Sequence, residues 1–223
     1  MNAPITIDVY SDIVCPWCYL GKRRLEAALR QRPDLAVVVR WLPFELNPEL
    51  AEGGVDRSDY IARKFGDGAG FAAVERRLVE FGREAGIAFG FGQIARVPNT
   101  RAAHALVAQA AERAGPVVEG LFAAYFERGL DVGDAAVLTE VAVRAGLDVA
   151  AVRGWLATRA GYRQVEAEQA EGQRLGISGV PFFVFAGRWA LSGAQQPEQM
   201  IAALDEVRAT LEREATGGFG AAG

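Results

Sequence analysis

Hydrophobic spacing divides the chain into three stretches. Ile5-Thr6-Ile7-Asp8-Val9-Tyr10 alternates apolar and polar positions, the two-residue period of a strand with Ile5, Ile7 and Val9 on one face. Ser11-Asp12-Ile13-Val14 leads out of it into Cys15-Pro16-Trp17-Cys18. Leu25, Ala28 and Leu29 then fall at helical spacing, and Pro33 stops the pattern because the residue before a proline disfavours helix. Ala36-Val37-Val38-Val39-Arg40-Trp41-Leu42-Pro43-Phe44 is β-rich and predicts a buried strand. The chain up to Phe44 therefore reads β-α-β, a unit whose strands run parallel through a right-handed crossover.

From Asn47 to Arg174 the period becomes helical. Asn47-Pro48 and Gly53-Gly54 mark a loop, after which Phe71, Val74, Leu78 and Phe81 recur at steps of three and four. Asn99 is the expected N-cap of a helix carrying Leu106, Val107 and Ala110. Gly115-Pro116 is read as the break before Val118, Leu121, Phe122, Tyr125 and Phe126. Asp134 caps a helix with Val137, Leu138 and Val141 that Gly146 ends, and Val152, Trp155 and Leu156 mark another. The aromatic sets of both long stripes are assigned to helix core, with some members free to line a groove. No fixed-period repeat is present, which excludes a solenoid.

After Gly176 the strand signal returns in Val180-Pro181-Phe182-Phe183-Val184-Phe185. Ala186-Gly187-Arg188 is a turn, and Trp189-Ala190-Leu191-Ser192-Gly193 its hairpin partner. Pro197 opens a last helix with Met200, Ile201, Leu204, Val207 and Leu211 on its apolar face. Two strands alone are marginal, whereas four in one sheet are not. The expected fold is α/β: one mixed sheet in the order β-α-β…β-β-α, with a large all-helical insertion of about five or six helices. Residues 1–46 and 176–215 form the sheet domain, 47–175 the insertion, and the glycine-rich 216–223 a flexible tail.

Composition narrows the function. The chain has 223 residues, and its net charge of −4 argues against a nucleic-acid partner. No apolar run reaches the ~18–20 residues of a membrane helix. Met1-Asn2-Ala3-Pro4 has no basic start, so a cytoplasmic protein with no membrane partner is expected. The basic residues are nearly all arginine, and Lys22 and Lys64 are the two lysines. The only two cysteines, Cys15 and Cys18, sit three apart. That excludes a disulfide-stapled scaffold and a four-cysteine zinc site, and the single His104 does not complete a metal set.

A cysteine at a helix start feels unsatisfied backbone N–H groups and the positive end of the helix dipole, so the Cys15 thiol is expected below the free value of ~8.5. The thiolate is the form that attacks a disulfide. Cys15 is thus the expected exposed nucleophile, with Pro16 at the first helical position. Cys18, one turn further, is the less exposed thiol that resolves the mixed disulfide. His104 is read first as a packed histidine and second as an aid to the Cys15 thiolate. Asp12 can raise the thiol pKa or bind backbone N–H groups.

Asp8-Val9-Tyr10-Ser11-Asp12-Ile13-Val14-Cys15-Pro16-Trp17-Cys18-Tyr19-Leu20-Gly21 closely resembles the FrnE-like cytoplasmic branch of the DsbA-like thioredoxin-fold oxidoreductases. Gly176-Ile177-Ser178-Gly179-Val180-Pro181-Phe182-Phe183-Val184-Phe185 resembles the segment in which that fold carries a cis-proline. Pro98-Asn99-Thr100 with Ala103-His104 also looks like the branch. The resemblance implies that Cys15 attacks and Cys18 resolves, and that Pro16 and Trp17 set the potential and the surface beside the sulfur. It further implies that Pro181 is cis, bringing the Val180 backbone beside the cysteines to pair with an extended substrate. The implied activity is thiol–disulfide oxidoreductase or isomerase on protein or small-molecule disulfides. No tightly bound cofactor is implied; glutathione or another thiol reductant is the implied co-substrate, and the chain is a monomer or homodimer.

The branch also resembles 2-hydroxychromene-2-carboxylate isomerases and kappa-class glutathione transferases. Those enzymes typically carry serine at the position of Cys15, and this chain departs from that by keeping both cysteines. A non-catalytic binding module is a third reading, which the intact pair disfavours.

Overall fold

The computed structural model describes residues 4–66 and 69–217. Strand β1 (Ile5–Ser11) leads into helix α1 (Pro16–Arg30) and strand β2 (Val37–Pro43). Near the other end, β5 (Phe182–Phe185) and β6 (Trp189–Ser192) form a hairpin followed by α9 (Pro197–Gly217). The four strands make one sheet in the order β2-β1-β5-β6. β1 runs parallel to β2 and antiparallel to β5, so the sheet is mixed and joins both ends of the chain. The hairpin turn places Ala186 and Gly187 both at positive φ, +48° and +68°.

Ile7, Val9, Phe183 and Phe185 project from one face of the sheet onto Leu25 and Ala28 of α1 and Met200 and Leu204 of α9. The opposite face is covered too: Tyr10 is buried, and a Cβ on Gly172 of α8 (Tyr162–Arg174) would stand 2.8 Å from its ring. β1 is thus enclosed on both sides although its sequence alternates. The polar member, Asp8, is neutralised by its register partner Arg40, whose guanidinium donates to both carboxylate oxygens at 2.5 and 2.6 Å.

Between β2 and β5 the chain forms α2 (Arg57–Phe65), α3 (Ala69–Glu84), α4 (Arg101–Gln109), α5 (Ala114–Phe122), α6 (Ala135–Arg144), α7 (Val149–Thr158) and α8. That is more than the five or six helices expected, and the stretch is not wholly helical. Val55–Asp56 (β3) and Arg96–Val97 (β4) pair as a short antiparallel ladder. Gly115-Pro116 does not separate two helices: it lies in the first turn of α5, where a proline loses no hydrogen bond, and the break is the 3₁₀ turn Ala111–Arg113. The N-cap of α4 is Thr100, not Asn99, although the Asn99 side chain supplies the cap by accepting the Arg101 N–H at 2.9 Å. Asp134 caps α6 as expected. Of the expected tail, Thr216 and Gly217 belong to α9, and 218–223 lie outside the described residues.

Tyr19 ties α1 to the helices. Its ring is fully buried and stacks on Phe122 at 5.0 Å. Its hydroxyl sits 3.0 Å from Glu119 and 2.9 Å from Glu127, and Glu119 is also held by Lys22 at 2.5 Å and Arg23 at 2.6 Å. Burial pushes the Tyr19 phenol far above its ordinary range, so it remains a donor. Among the described residues no helix is long and apolar enough to cross a membrane.

Candidate active site

The site begins where β1 ends. Asp12 turns the chain, and its carbonyl accepts the Cys15 N–H at 3.1 Å. Cys15 is the N-cap of α1 in extended conformation, with no side-chain capping bond, and Pro16 follows at the first helical position. The Cys15 carbonyl accepts the N–H groups of Cys18 (3.0 Å) and Tyr19 (3.3 Å), so the helix starts at this cysteine.

Both cysteines are free thiols. The expectation of an exposed Cys15 needs correcting: it is only 5% exposed, against 1% for Cys18. What distinguishes them is access from within. Cys15 lines a cavity of about 560 Å³ and Cys18 does not. Burial, followed by the hydrogen bond that the Cys18 thiol makes to Cys15, pushes Cys18 well above its ordinary pKa, so it rests protonated at neutral pH.

The loop before β5 closes over Cys15. The Val180–Pro181 peptide bond is cis, and the Cys15 thiol donates to the Val180 carbonyl at 3.7 Å. The Pro181 carbonyl is fixed by the Gly193 N–H at 2.8 Å. Gly21, one turn beyond Cys18, sits close beneath this loop. A Cβ there would meet Pro181 Cγ at 3.0 Å and the Phe183 ring at 3.3 Å. In the sequence Gly21 stands out only as part of the resembling motif; a glycine inside an otherwise amphipathic helix is the available signal of a close approach.

Asp12 is fully buried. One carboxylate oxygen accepts the Leu46 N–H at 2.7 Å and the other lies 3.3 Å from His104 Nε2. The Asp12 carboxylate thus binds a backbone N–H, and its negative charge adds to the elevation of the Cys18 thiol pKa. His104, on α4, is buried and borders a separate small cleft with Ser11 and Trp41. Its polar contact toward the site is with Asp12.

The cavity over Cys15 is lined by Pro16, Trp17 and Val180 together with Leu78 and Phe126. Trp17 packs at a tilt on Phe81, ring centroids 6.2 Å apart. α2 contributes Arg57, Tyr60, Ile61, Lys64 and Phe65, and α3 contributes Phe71 and Val74. Sequence reading missed α2 entirely, although 57, 60, 61, 64 and 65 fall on one helical face. Phe71, Tyr125 and Phe126, assigned first to helix core, line the cavity, and Val74 is 42% exposed. A π-helical turn, Ala123–Glu127, carries Tyr125 and Phe126 into it.

A thioredoxin-type sheet, an unbonded cysteine pair opening α1 and a facing cis-proline loop define a DsbA-like thiol oxidoreductase. The DSBA-like thioredoxin domain model matches residues 6–205, and the chain belongs to that family. It is 34% identical to a probable DsbA oxidoreductase from Streptomyces coelicolor, with a TM-score of 0.84 over 92% of this chain and 90% of the other. It is 28% identical to the uncharacterised YwbO of Bacillus subtilis, covering 85% of this chain and 90% of that protein. The fold is also that of DsbM, a cytosolic disulfide reductase of Pseudomonas aeruginosa solved with glutathione. There the identity is 20% and the TM-score 0.61, over 95% and 99% of the two chains.

Proposed function

We propose that the chain is a thiol–disulfide oxidoreductase of the FrnE-like branch in which Cys15 attacks and Cys18 resolves. The observation that carries this is the inequality of the two thiols: Cys15 opens to the cavity and faces Val180, while Cys18 is sealed beneath it. Attack by the Cys15 thiolate on a substrate disulfide forms a mixed disulfide and expels one substrate thiolate. The Cys18 thiol, protonated at rest, must lose its proton before it can attack Cys15 Sγ and expel the second. The part of its pKa elevation that comes from the Cys15 sulfur falls away once Cys15 is held in the mixed disulfide, which favours resolution at that point. Pro16 and Trp17 shape the wall beside the sulfur, and Val180 orients the entering group.

The same reading places the protein in the cytoplasm, where small thiols are kept reduced, and makes glutathione or another small thiol its reductant. Reduction of a simple disulfide by the purified chain tests the proposal. Cys15→Ser should abolish turnover and Cys18→Ser should accumulate the mixed disulfide; full activity in Cys15→Ser would overturn it. A redox titration fixes the direction: a potential of about −220 to −320 mV marks a reductase or isomerase, a much higher one an oxidant.

A further inference from the structure

We propose that the cavity over Cys15 takes a small, largely apolar disulfide bearing one anionic group, an inference that rests on Cys15 being the attacking sulfur. Its volume, about 560 Å³, is that of a pocket for a drug-sized molecule. Phe71, Val74, Leu78, Phe91 and Phe126 supply apolar walls. A peptide segment drawn in to reach Cys15 would bury N–H and C=O groups against walls that offer few partners, at a cost a compact apolar molecule avoids.

Charge singles out the second feature. Arg57 is matched within the wall, ion-paired to Glu75 and stacked over Phe71. Lys64 differs: among the described residues no carboxylate pairs with it. Its ammonium donates to the Tyr60 hydroxyl at 2.6 Å, which donates to Asn47 Oδ1 at 2.9 Å. Among the described residues this string leaves Lys64 with spare donors and no carboxylate partner, an opening for a carboxylate on an otherwise greasy molecule.

The reaction balances without a bound cofactor. The Cys15 thiolate attacks one sulfur of R–S–S–R′, the Cys15–S bond forms as the S–S bond breaks, and R′–S⁻ leaves and takes a proton from water. Cys18 loses its proton to solvent and attacks Cys15 Sγ, releasing R–S⁻, which is protonated in turn. Two electrons pass from the dithiol to the substrate, and two molecules of a small thiol in solution restore the dithiol.

The test uses the reduced full-length chain and three probes: dithiobis(nitrobenzoate), aromatic with one carboxylate on each half; dithiodipyridine, aromatic and uncharged; and hydroxyethyl disulfide, small and hydrophilic. Each rate is divided by that of free mercaptoethanol with the same probe. Both aromatic probes should exceed hydroxyethyl disulfide by about tenfold, a preference of ~1.4 kcal/mol. Lys64→Gln should lower the nitrobenzoate-to-pyridine ratio by about threefold, as for a partly exposed ion pair. Val74→Glu, an exposed site that tolerates charge, should cut the aromatic preference by about tenfold. Val143→Glu, equally exposed on α6 but no part of the cavity, should change no ratio. Equal normalised rates for all three probes, or an unchanged preference in Val74→Glu, overturns the substrate class, as does faster turnover of a denatured protein's disulfides. An unchanged nitrobenzoate-to-pyridine ratio in Lys64→Gln overturns the anionic group. Rates that survive Cys15→Ser overturn the underlying thiol reading instead, so the two failures are separable.

Discussion

Replacing Gly21 by alanine sets two opposed effects against each other at a position that holds the site together. Alanine favours a helix over glycine by about 1 kcal/mol, and Gly21 lies inside α1. The added methyl, however, would stand 3.0 Å from Pro181 Cγ, 3.3 Å from the Phe183 ring and 3.4 Å from Pro181 Cβ. A proline ring cannot rotate away, and its carbonyl is tied to Gly193. Overpacking of this kind costs about 1–3 kcal/mol, so Gly21→Ala should lose about 0–2 kcal/mol net. Gly154 is the internal control: it lies inside α7, and a Cβ there would have nothing within 4 Å, so Gly154→Ala should show only the gain. With overpacking near 2 kcal/mol, thermal unfolding should separate the two variants by about 4–8 °C in a chain of this size. The methyl also pushes α1 from the loop that faces Cys15, and a shift of ~1 Å at a reacting centre can cost ~100-fold; disulfide exchange should therefore slow in Gly21→Ala and not in Gly154→Ala. A Gly21→Ala protein that melts as high as Gly154→Ala and exchanges at the wild-type rate would refute the reasoning.

Three further outcomes follow from the same geometry. Alkylation of the reduced protein at neutral pH should label Cys15 before Cys18, read by peptide mass mapping; equal labelling contradicts the sealed, protonated state of Cys18. Because the Cys18 pKa is raised on folding, the native state binds its proton more tightly than the unfolded chain. The stability this gives is complete below the unfolded value of about 9 and is lost as pH rises beyond it, so the alkaline fall in melting temperature should be shallower in Cys18→Ala. Asp12→Ala strips an acceptor from the Leu46 N–H, about 0.5–1.5 kcal/mol, and from the buried His104, about 1–3 kcal/mol; denaturant unfolding should show about 1.5–4.5 kcal/mol lost, and Asp12→Asn, which keeps the Leu46 acceptor, distinctly less.

The sheet was readable because both of its halves obey local rules. Ile5, Ile7 and Val9 alternate, and the Val180–Phe185 run is aromatic and β-branched with a turn behind it. Cys15, Cys18 and the Val180–Pro181 loop were found for a related reason: they lie in short contiguous motifs. The middle was harder. α2 sets Tyr60, Ile61, Ala62 and Phe65 among five polar residues, so its stripe was invisible until its fellow wall α3 was known. β3 and β4 are two residues each and 40 positions apart, with no period to detect. Gly115-Pro116 misled because a helix start and a helix break use the same residues. The cavity over Cys15 was unreadable in principle, since its walls come from α1, α2, α3, the π-helical turn and the Val180 loop, which only the tertiary fold brings together.

The joining of both chain ends in one sheet has a consequence for synthesis. Cys15 leaves the ribosome 165 residues ahead of the carbonyl that will face it. At about 5–20 residues per second, that interval lasts roughly 8–30 s. Throughout it β1 has no β5 beside it, and the two thiols that will later differ in access are equivalent side chains of a nascent segment. The asymmetry on which their chemistry depends is therefore acquired last, as the carboxy-terminal hairpin slots in next to β1. Until then both thiols are open to exchange with other disulfides they meet.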